Sequence, residues 1–146
     1  WVRRRLVTEE ELARAALEAH GPRAAEKFVQ EVIWRTYWKG WLEMRPEVWT
    51  RYLAERDAAL EAVEANAGLR TALTQAIEGR TGIEGFDDWA RELVETGWLH
   101  NHARMWFASI WIFTLRLPWT LGADVFLRHL MDGDPASNPL SWRWVA

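Results

Sequence analysis

Residues 132–146, DGDPASNPLSWRWVA, combine two carboxylates, a carboxamide, two prolines and two tryptophans in one short stretch. Asp134, Asn138 and Trp142 recur every four residues, so they line one side of a helix. Asp134 is a good N-cap for that helix, and Pro135 suits its first position because that position needs no N–H donor. The stretch therefore predicts a capped helix with one polar and aromatic side. It leaves open whether that side is structural or binds a ligand.

Two patterns that could bind a metal fail on spacing. Asp132 and Asp134 match the first and third positions of a calcium loop, but the sixth and twelfth positions lack the required Gly and Glu. His100 and His102 are two residues apart on a predicted helix, so their side chains point in different directions and do not readily chelate one ion. We therefore expect no metal site.

The composition is that of one globular domain with an excess of tryptophan. The 146 residues are 49% hydrophobic and 27% charged, and they include twelve tryptophans and no cysteine. The absence of cysteine excludes disulfides and thiol chemistry and suits a reducing cytoplasm. The longest apolar run, residues 105–115, is too short to span a bilayer. The net charge of −3 gives no general support to nucleic-acid binding, so any such surface must be a local patch.

Helix signals recur along the whole chain and no segment alternates with a period of two, which predicts an all-α fold. Thr8 and Glu11 form a capping box for a first helix, which ends at Gly21. Gly97 and Pro118 end two later helices. Residues 79–85 are predicted to form a loop. The other predicted helices cover residues 22–42, 46 to the region before 68, 69–78, 86–96, 100–117, 121–131 and 135 onward.

Two helix faces carry chemistry besides the last helix. Glu31, Trp34, Arg35 and Trp38 share one side of a helix. This face is either a surface ion pair beside half-buried tryptophans or a platform on which bases stack. The second face carries Arg104, which enters a very apolar helix.

A buried arginine requires a paired anion, and Asp132 or Asp134 is a fitting partner for Arg104. Asn101 and Met105 share this second helix face. The observation is equally compatible with a structural ion pair beside a helix cap.

Four segments, in their order and spacing, resemble the FAD-binding helical domain of the photolyase/cryptochrome family. They are residues 96–105 (TGWLHNHARM), Pro118-Trp119, residues 132–146, and residues 31–38 (EVIWRTYW), the last similar to the family's substrate-facing helix. The resemblance implies an all-α, multi-helix FAD-binding domain over residues 1–146. The chain begins at Trp1 and not at Met, so we expect it to be part of a longer chain with an N-terminal α/β domain that holds an antenna chromophore.

The resemblance implies a role for individual residues in holding FAD. Arg35 would contact the phosphates, and Arg104 paired with Asp132 would lie against the isoalloxazine ring. Asp134 would accept from the N3–H region of that ring, and Asn138 would face N5. The implied FAD-binding set is Arg35, Trp98, Asn101, Arg104, Asp132, Gly133, Asp134 and Asn138.

The resemblance also implies a surface for damaged DNA, with a flipped pyrimidine dimer stacking in a cavity. The implied set is Glu31, Trp34, Arg35, Trp38, Asn101, His102, Met105 and Trp144. Asn101 and Met105 favour the cyclobutane lesion, because members that act on (6-4) photoproducts carry histidines around this helix. His102 stands where many members carry arginine. The family's T-G-F/Y-P turn reads TGIE at residues 81–84, and its N-G-G segment reads PLS at residues 139–141.

The resemblance further implies that Trp142 and Trp119 begin an electron path to the flavin. The family's third tryptophan is absent, since residues 51–80 contain none. Helical spacing places Trp111 away from the flavin, where a surface relay could lie, so the outer step is expected to use Trp111 or Tyr52, or to be slow.

Three hypotheses follow for function. The first is light-driven, FAD-dependent repair of cyclobutane pyrimidine dimers by a cytoplasmic, monomeric photolyase. The second is a cryptochrome-like blue-light receptor with the same flavin site and no repair. The third is a flavin-free helical interaction module whose tryptophans are core.

Overall fold

The computed structural model describes Val2 and residues 5–146, and this part of the chain contains helices and no strand. The predicted all-α fold is confirmed. The chain forms two compact units, the first ending at Pro46 and the second comprising Glu47–Ala146. The elements are α1 (Glu9–Glu43), α2 (Pro46–Ala65), α3 (Ala67–Ile77), α4 (Glu84–Thr96), α5 (Asn101–Ser109), a π-helical turn (Ile110–Thr114), α6 (Trp119–His129) and α7 (Ser137–Val145).

The first unit consists mainly of α1, which begins and breaks where the sequence predicts. The Thr8 hydroxyl accepts from the Glu11 N–H, and the Glu11 carboxylate accepts from the Thr8 N–H at 2.7 Å, so the capping box is confirmed. Gly21 adopts φ 74° and ψ 165°, which interrupts the helix before Pro22. Such a positive φ is inexpensive only for glycine. The element is therefore two helices joined at a kink.

The second unit contains the hydrophobic core. The buried aromatic residues Tyr52, Phe86, Phe107, Trp111 and Trp142 lie in it. Helix α6 is its central element, because every residue from 120 to 126 is buried. A helix buried all round at its centre must be covered by neighbours on several sides. This position brings α6 against α7 and the π-helical turn.

Gly97 ends α4 in the left-handed conformation, with φ 67°, as the sequence predicts. Glycine is required there for a second reason. A Cβ at this position would lie 2.8 Å from Cγ of Met131 and 3.2 Å from the carbonyl oxygen of His129. The end of α4 therefore packs closely against the segment that follows α6.

The predicted continuous helix over residues 100–117 is wrong. Helix α5 ends at Ser109, and Ile110–Thr114 forms a π-helical turn whose widened hydrogen bonding lets the Leu115 N–H donate to the carbonyl of Ile110 at 2.9 Å. A π-turn rotates later side chains relative to an α-helical projection. Trp111 is consequently fully buried, which contradicts the expectation that it lies at the surface.

Smaller differences concern helix ends. Helix α4 begins at Glu84, two residues earlier than predicted, and α6 covers Trp119–His129 and not residues 121–131. Helix α7 begins at Ser137, because Pro135 and Ala136 still belong to the preceding turn. Within the described residues, none of the helices has both the length and the apolar character needed to cross a membrane.

Candidate functional site

The turn between α6 and α7 is organised by Asp134. Its side chain is buried, and its Oδ1 atom accepts from the backbone N–H of Ala136 at 2.9 Å and of Ser137 at 3.1 Å. A carboxylate here satisfies N–H groups at the start of α7 that lack helical partners and interacts favourably with the helix dipole. The prediction that Asp134 is the N-cap is wrong, because α7 begins two residues later than predicted and Ala136 takes that position; Asp134 binds the turn from outside the helix.

Gly133 lets this turn close tightly. A Cβ at this position would lie 2.9 Å from the carbonyl oxygen of Leu127, 3.0 Å from that of Leu130 and 3.2 Å from that of Phe126. Any side chain would therefore meet three backbone oxygens at the end of α6. The close approach fixes Asp132 and Asp134 on either side of one narrow turn.

Asn138 and Trp142 continue from Asp134 along the buried side of α7. The Nδ2 atom of Asn138 donates to the carbonyl oxygen of Ala123 at 2.8 Å, which fixes the orientation of the carboxamide. Trp142 is buried and meets Phe126 edge-to-face, with ring centroids 5.0 Å apart. The predicted side of the last helix is confirmed as one continuous buried row.

Arg104 pairs with Asp132 across this turn. The Arg104 Nη1 atom lies 3.1 Å from Asp132 Oδ2, and Nε donates to the carbonyl oxygen of Leu99 at 2.9 Å. The partnership predicted from the sequence is present. The prediction that the pair is buried is wrong, because the two side chains are 24% and 60% exposed. The guanidinium is therefore partly exposed and is held by two partners, Asp132 and the carbonyl of Leu99.

The start of α5 presents polar and apolar side chains to solvent. Asn101, His102 and Met105 are exposed. His100 is the N-cap, and its Nδ1 atom accepts from the His102 N–H at 3.3 Å. The expectation that the two histidines point apart is wrong, since their rings stack with centroids 5.2 Å apart. The N-cap residue lies outside the helix proper, so helical spacing does not apply to it.

Two further candidate residues flank this region on the surface of the second unit. Trp98 follows the end of α4 and is half exposed, while Trp144 on α7 is 88% exposed. Large aromatic side chains this exposed contribute little to the core. Both are available to contact a ligand.

In the first unit, α1 carries the predicted aromatic face. The rings of Trp34 and Trp38 stack with centroids 6.1 Å apart and an interplanar angle of 24°, and Trp34 is 51% exposed. Arg35 forms an ion pair with Glu9, with Nε 3.4 Å from Oε1, while Glu31 is exposed. Arg35 therefore pairs with the beginning of the same element, whereas a Glu31–Arg35 surface pair was one of the two alternatives for this face.

Aromatic rings of the second unit form two groups around Trp142 and Trp119. Trp142 contacts Trp111, with centroids 6.2 Å apart, and Trp111 donates from Nε1 to the carbonyl oxygen of Pro118 at 3.0 Å. Trp119 contacts Tyr52 at 5.8 Å, and Tyr52 contacts Trp49 at 5.2 Å. Trp111 thus belongs to the interior, whereas the second row leads from Trp119 to the half-buried Trp49.

Asp87 orders the turn before α4, a role that the sequence did not predict. Its carboxylate accepts from the Thr81 hydroxyl at 2.7 Å, the Thr81 N–H at 2.9 Å and the Gly82 N–H at 2.8 Å. Burial by itself raises the pKa of Asp87, but these hydrogen bonds outweigh burial and hold the pKa below its ordinary value of 3.8. The available signal was Ile83, an N-cap that cannot cap, followed by an acid in the first turn of α4.

The second unit thus supplies a cation, two carboxylates and a carboxamide at one turn, with tryptophans beside them. Groups of this kind can hydrogen-bond the donors and acceptors along the edge of a polar heterocycle. Among the described residues, no cluster of three or more His, Cys, Asp or Glu side chains is placed to hold a metal ion.

The relatives found by comparison with known proteins carry the same name. The deoxyribodipyrimidine photo-lyase of Streptomyces griseus is 37% identical over 142 residues, covering 96% of this chain and 29% of that protein. One from Thermus thermophilus is 37% identical over 134 residues, covering 92% of this chain and 31% of that protein. That of Escherichia coli K12 is 31% identical over 133 residues, covering 84% and 25%. The chain spans less than a third of the length of these relatives.

A solved structure shares the fold. The crystal structure of a bacterial class III photolyase from Agrobacterium tumefaciens superimposes with a TM-score of 0.72 and 27% sequence identity, covering 96% of this chain and 29% of that one. Residues 28–146 match the family described as the FAD binding domain of DNA photolyase. From these matches, the chain belongs to the DNA photolyase family, whose FAD-binding domain it matches over residues 28–146.

Proposed function

We propose that the protein containing this domain is a light-driven, FAD-dependent photolyase that splits cyclobutane pyrimidine dimers in DNA. The observation that carries the proposal is the turn between α6 and α7. There Asp132, in a partly exposed pair with Arg104, lies two residues before Asp134, the first member of the buried row Asp134, Asn138 and Trp142. The family membership gives this set of residues a ligand of known class.

The residues at the turn fit a flavin by their chemistry. Arg104 has two of its N–H groups engaged, by Leu99 and Asp132, so its charge is held in one place before any ligand arrives. Asn138 is likewise held by Ala123. Preorganised donors lose little freedom on binding, which favours affinity. Arg35, Trp98, Asn101 and Gly133 complete the proposed FAD-binding set.

The bound flavin supplies the light absorption and one-electron transfer, and the protein sets its charge and hydrogen bonding. The positive charge of Arg104 favours an anionic ring, with Asp132 limiting that charge. The Asn138 carboxamide presents both a donor and an acceptor group. We assign Asp134 to the polar edge of the ring, where a buried carboxylate accepts an N–H. Trp142 and Trp119 are the proposed inner electron donors.

For the substrate, we propose stacking of the flipped dimer on exposed aromatic rings. Trp34 and Trp38 supply a flat, half-exposed surface on α1, with Glu31 and Arg35 as hydrogen-bonding partners. In the second unit, the proposed substrate contacts are Asn101, His102, Met105 and Trp144. Extruding a base costs least where stacking is already broken, so a dimer is selected without base readout.

Two measurements on the full-length protein test the proposal. The purified protein should carry oxidised or reduced FAD, visible in its absorption spectrum, and blue light should restore the dimer in a short oligonucleotide to two pyrimidines. A protein without flavin would favour a helical interaction module. Bound flavin without repair would favour a cryptochrome-like photoreceptor and reject the lyase.

A further inference from the structure

The row Trp119–Tyr52–Trp49 replaces the outer end of the electron path that this chain lacks. We propose that Trp49, on α2, is the outer electron donor and passes its electron across Tyr52 to Trp119. The proposal rests on the proposed function for its oxidant, the light-excited flavin. Its structural basis is a set of ring contacts within the second unit, and these contacts do not involve the flavin.

Contact geometry supports the route. The ring centroids of Trp119 and Tyr52 are 5.8 Å apart, and those of Tyr52 and Trp49 are 5.2 Å apart, both in tilted arrangements. Electron tunnelling falls off steeply with distance, so rings in contact offer the fastest steps. Trp49 is half buried at the periphery of the core, whereas Tyr52 is fully buried. The row therefore connects an inner donor to the molecular surface.

A nearby positive charge favours outward movement of the electron vacancy, which is the positive charge left on a ring that has lost an electron. The guanidinium of Arg143 lies over the Trp119 ring, 6.0 Å from its centroid. A nearby cation stabilises the neutral ring and disfavours a positive charge on it. A vacancy on Trp119 is therefore less stable than one on a tryptophan that has no such neighbour.

Tyr52 passes the electron between the two tryptophans and does not itself remain oxidised. Its hydroxyl is buried and has no hydrogen-bond partner among the described residues. Burial, together with the nearby carboxylate of Asp124, raises the pKa of Tyr52 to about 12. A phenol gives up an electron readily only when it also loses its proton, and this hydroxyl is hydrogen-bonded to no acceptor among the described residues. The vacancy thus passes to Trp49.

The same reasoning excludes Trp111 as the outer electron donor. It contacts Trp142, but it is fully buried and its Nε1–H is bound to the carbonyl oxygen of Pro118. A carbonyl oxygen does not accept that proton permanently. An oxidised Trp111 would keep its positive charge and would be reduced again by an electron from Trp142. Trp49 instead can lose its N–H proton to water.

The steps balance in electrons and protons. With FAD bound, Trp142 would give one electron to the flavin, Trp119 would give one to Trp142, and Trp49 would give one to Trp119 across Tyr52. Trp49 then releases its N–H proton to water and becomes a neutral radical. An external thiol donates one electron and one proton to restore it. Loss of the proton traps the separated charge.

Transient absorption of the full-length protein with oxidised FAD tests the route. Trp49→Phe should lose the long-lived neutral tryptophan radical, and thiol-dependent photoreduction should fall with it. Trp89→Phe is the matched control, because Trp89 is also half buried against the same core and takes no part in the ring row. Trp111→Phe should keep the radical. Flavin content and melting temperature are measured for each variant.

Two substitutions of Tyr52 separate a bridge from a radical site. Tyr52→Phe keeps a ring in place and should retain the radical on Trp49, whereas Tyr52→Leu should lose it. Loss in Tyr52→Phe, or a radical unchanged in Trp49→Phe relative to Trp89→Phe, would overturn the proposal. Absence of dimer repair by the unsubstituted protein, with the radical present, would instead reject the lyase and leave the electron route standing.

Discussion

The indole ring of Trp142 lies directly against the backbone of Gly122 on α6. A Cβ at position 122 would be 2.5 Å from Cζ3 of Trp142 and 3.0 Å from Cε2 of Trp111. Both tryptophans are buried, so neither can swing into solvent to make room. The absence of a side chain at this position therefore determines where the innermost proposed electron donor lies.

Gly122→Ala should consequently destabilise the protein, even though alanine is the better helix former. Overpacking a close-packed core costs roughly 1–3 kcal/mol. Urea unfolding followed by tryptophan fluorescence measures this cost. Gly40→Ala, in α1, is the control, because a Cβ there meets nothing within 4 Å. That variant should gain about 0.4–1 kcal/mol. Equal behaviour of the two variants would show that Trp142 is free to move.

Arg104→Ala should reduce FAD affinity while changing stability little. The Arg104–Asp132 pair is partly exposed, and pairs of that kind contribute about 0–1 kcal/mol. A bound flavin would lose a fixed cation, so flavin retention on gel filtration should fall. The measurement pairs that retention with thermal melting of the flavin-free protein.

The control for Arg104 is Arg91, which has the same two kinds of partner. Arg91 pairs with Asp88 and donates to the carbonyl oxygen of Gly79 at 2.7 Å. Arg91→Ala should lower stability by a similar amount and leave flavin retention unchanged. Stoichiometric FAD in both variants would remove Arg104 from the site.

Asp87 should make stability depend on pH in the acid range. Its folded-state pKa is below the ordinary value of 3.8, so its contribution is complete above that value and is lost as pH falls through the folded pKa. Asp87→Asn removes this contribution at neutral pH, at a cost of about 1–3 kcal/mol for charge-assisted hydrogen bonds. It should also flatten the acid limb of a stability–pH curve. Asp88→Asn, exposed and adjacent, should leave that limb intact.

The position of Asp87 also explains how the turn at residues 81–84 holds without the aromatic and proline residues of the family pattern. Gly82 takes φ +83°, and Asp87 binds the N–H groups of Thr81 and Gly82. A carboxylate from the following helix thus orders this turn.

Local chemistry accounts for what the sequence predicted well. Caps and stops such as Thr8, Gly21 and Gly97 act through a few neighbouring atoms, so their effects are visible in a short stretch. The pairing of Arg104 with Asp132 could be predicted because an unpaired buried charge is costly. The exposure of the pair could not be predicted, because burial depends on which elements cover the pair.

Long-range packing accounts for what was missed. The burial of Trp111 depends on the π-helical turn, which changes the angular position of every side chain after Ser109. No residue in that turn is a helix breaker, so no sequence signal marked it. The ring row from Trp119 to Trp49 joins α2 to α6 and depends equally on tertiary structure.

Trp142→Phe should abolish photoreduction of FAD in the full-length protein. Phenylalanine keeps an aromatic ring against Gly122 but is far harder to oxidise, so the first electron step fails. Trp106→Phe is a suitable control because Trp106 is exposed on α5. Time-resolved absorption measures the step. Unimpaired photoreduction in Trp142→Phe would show that the electron enters by another residue.

Trp34→Ala should weaken binding of dimer-containing DNA by about 1–3 kcal/mol, the usual contribution of one base–aromatic stack. Its ring is half exposed and stacked on Trp38, so truncation removes an outer surface and little core. Phe28→Ala, at a similarly exposed position on α1, is the control and should bind as the unsubstituted protein does. Fluorescence anisotropy of a labelled oligonucleotide measures both, with flavin content recorded in parallel. Lost flavin with unchanged DNA affinity would instead show that Trp34 supports the cofactor and does not stack on the substrate.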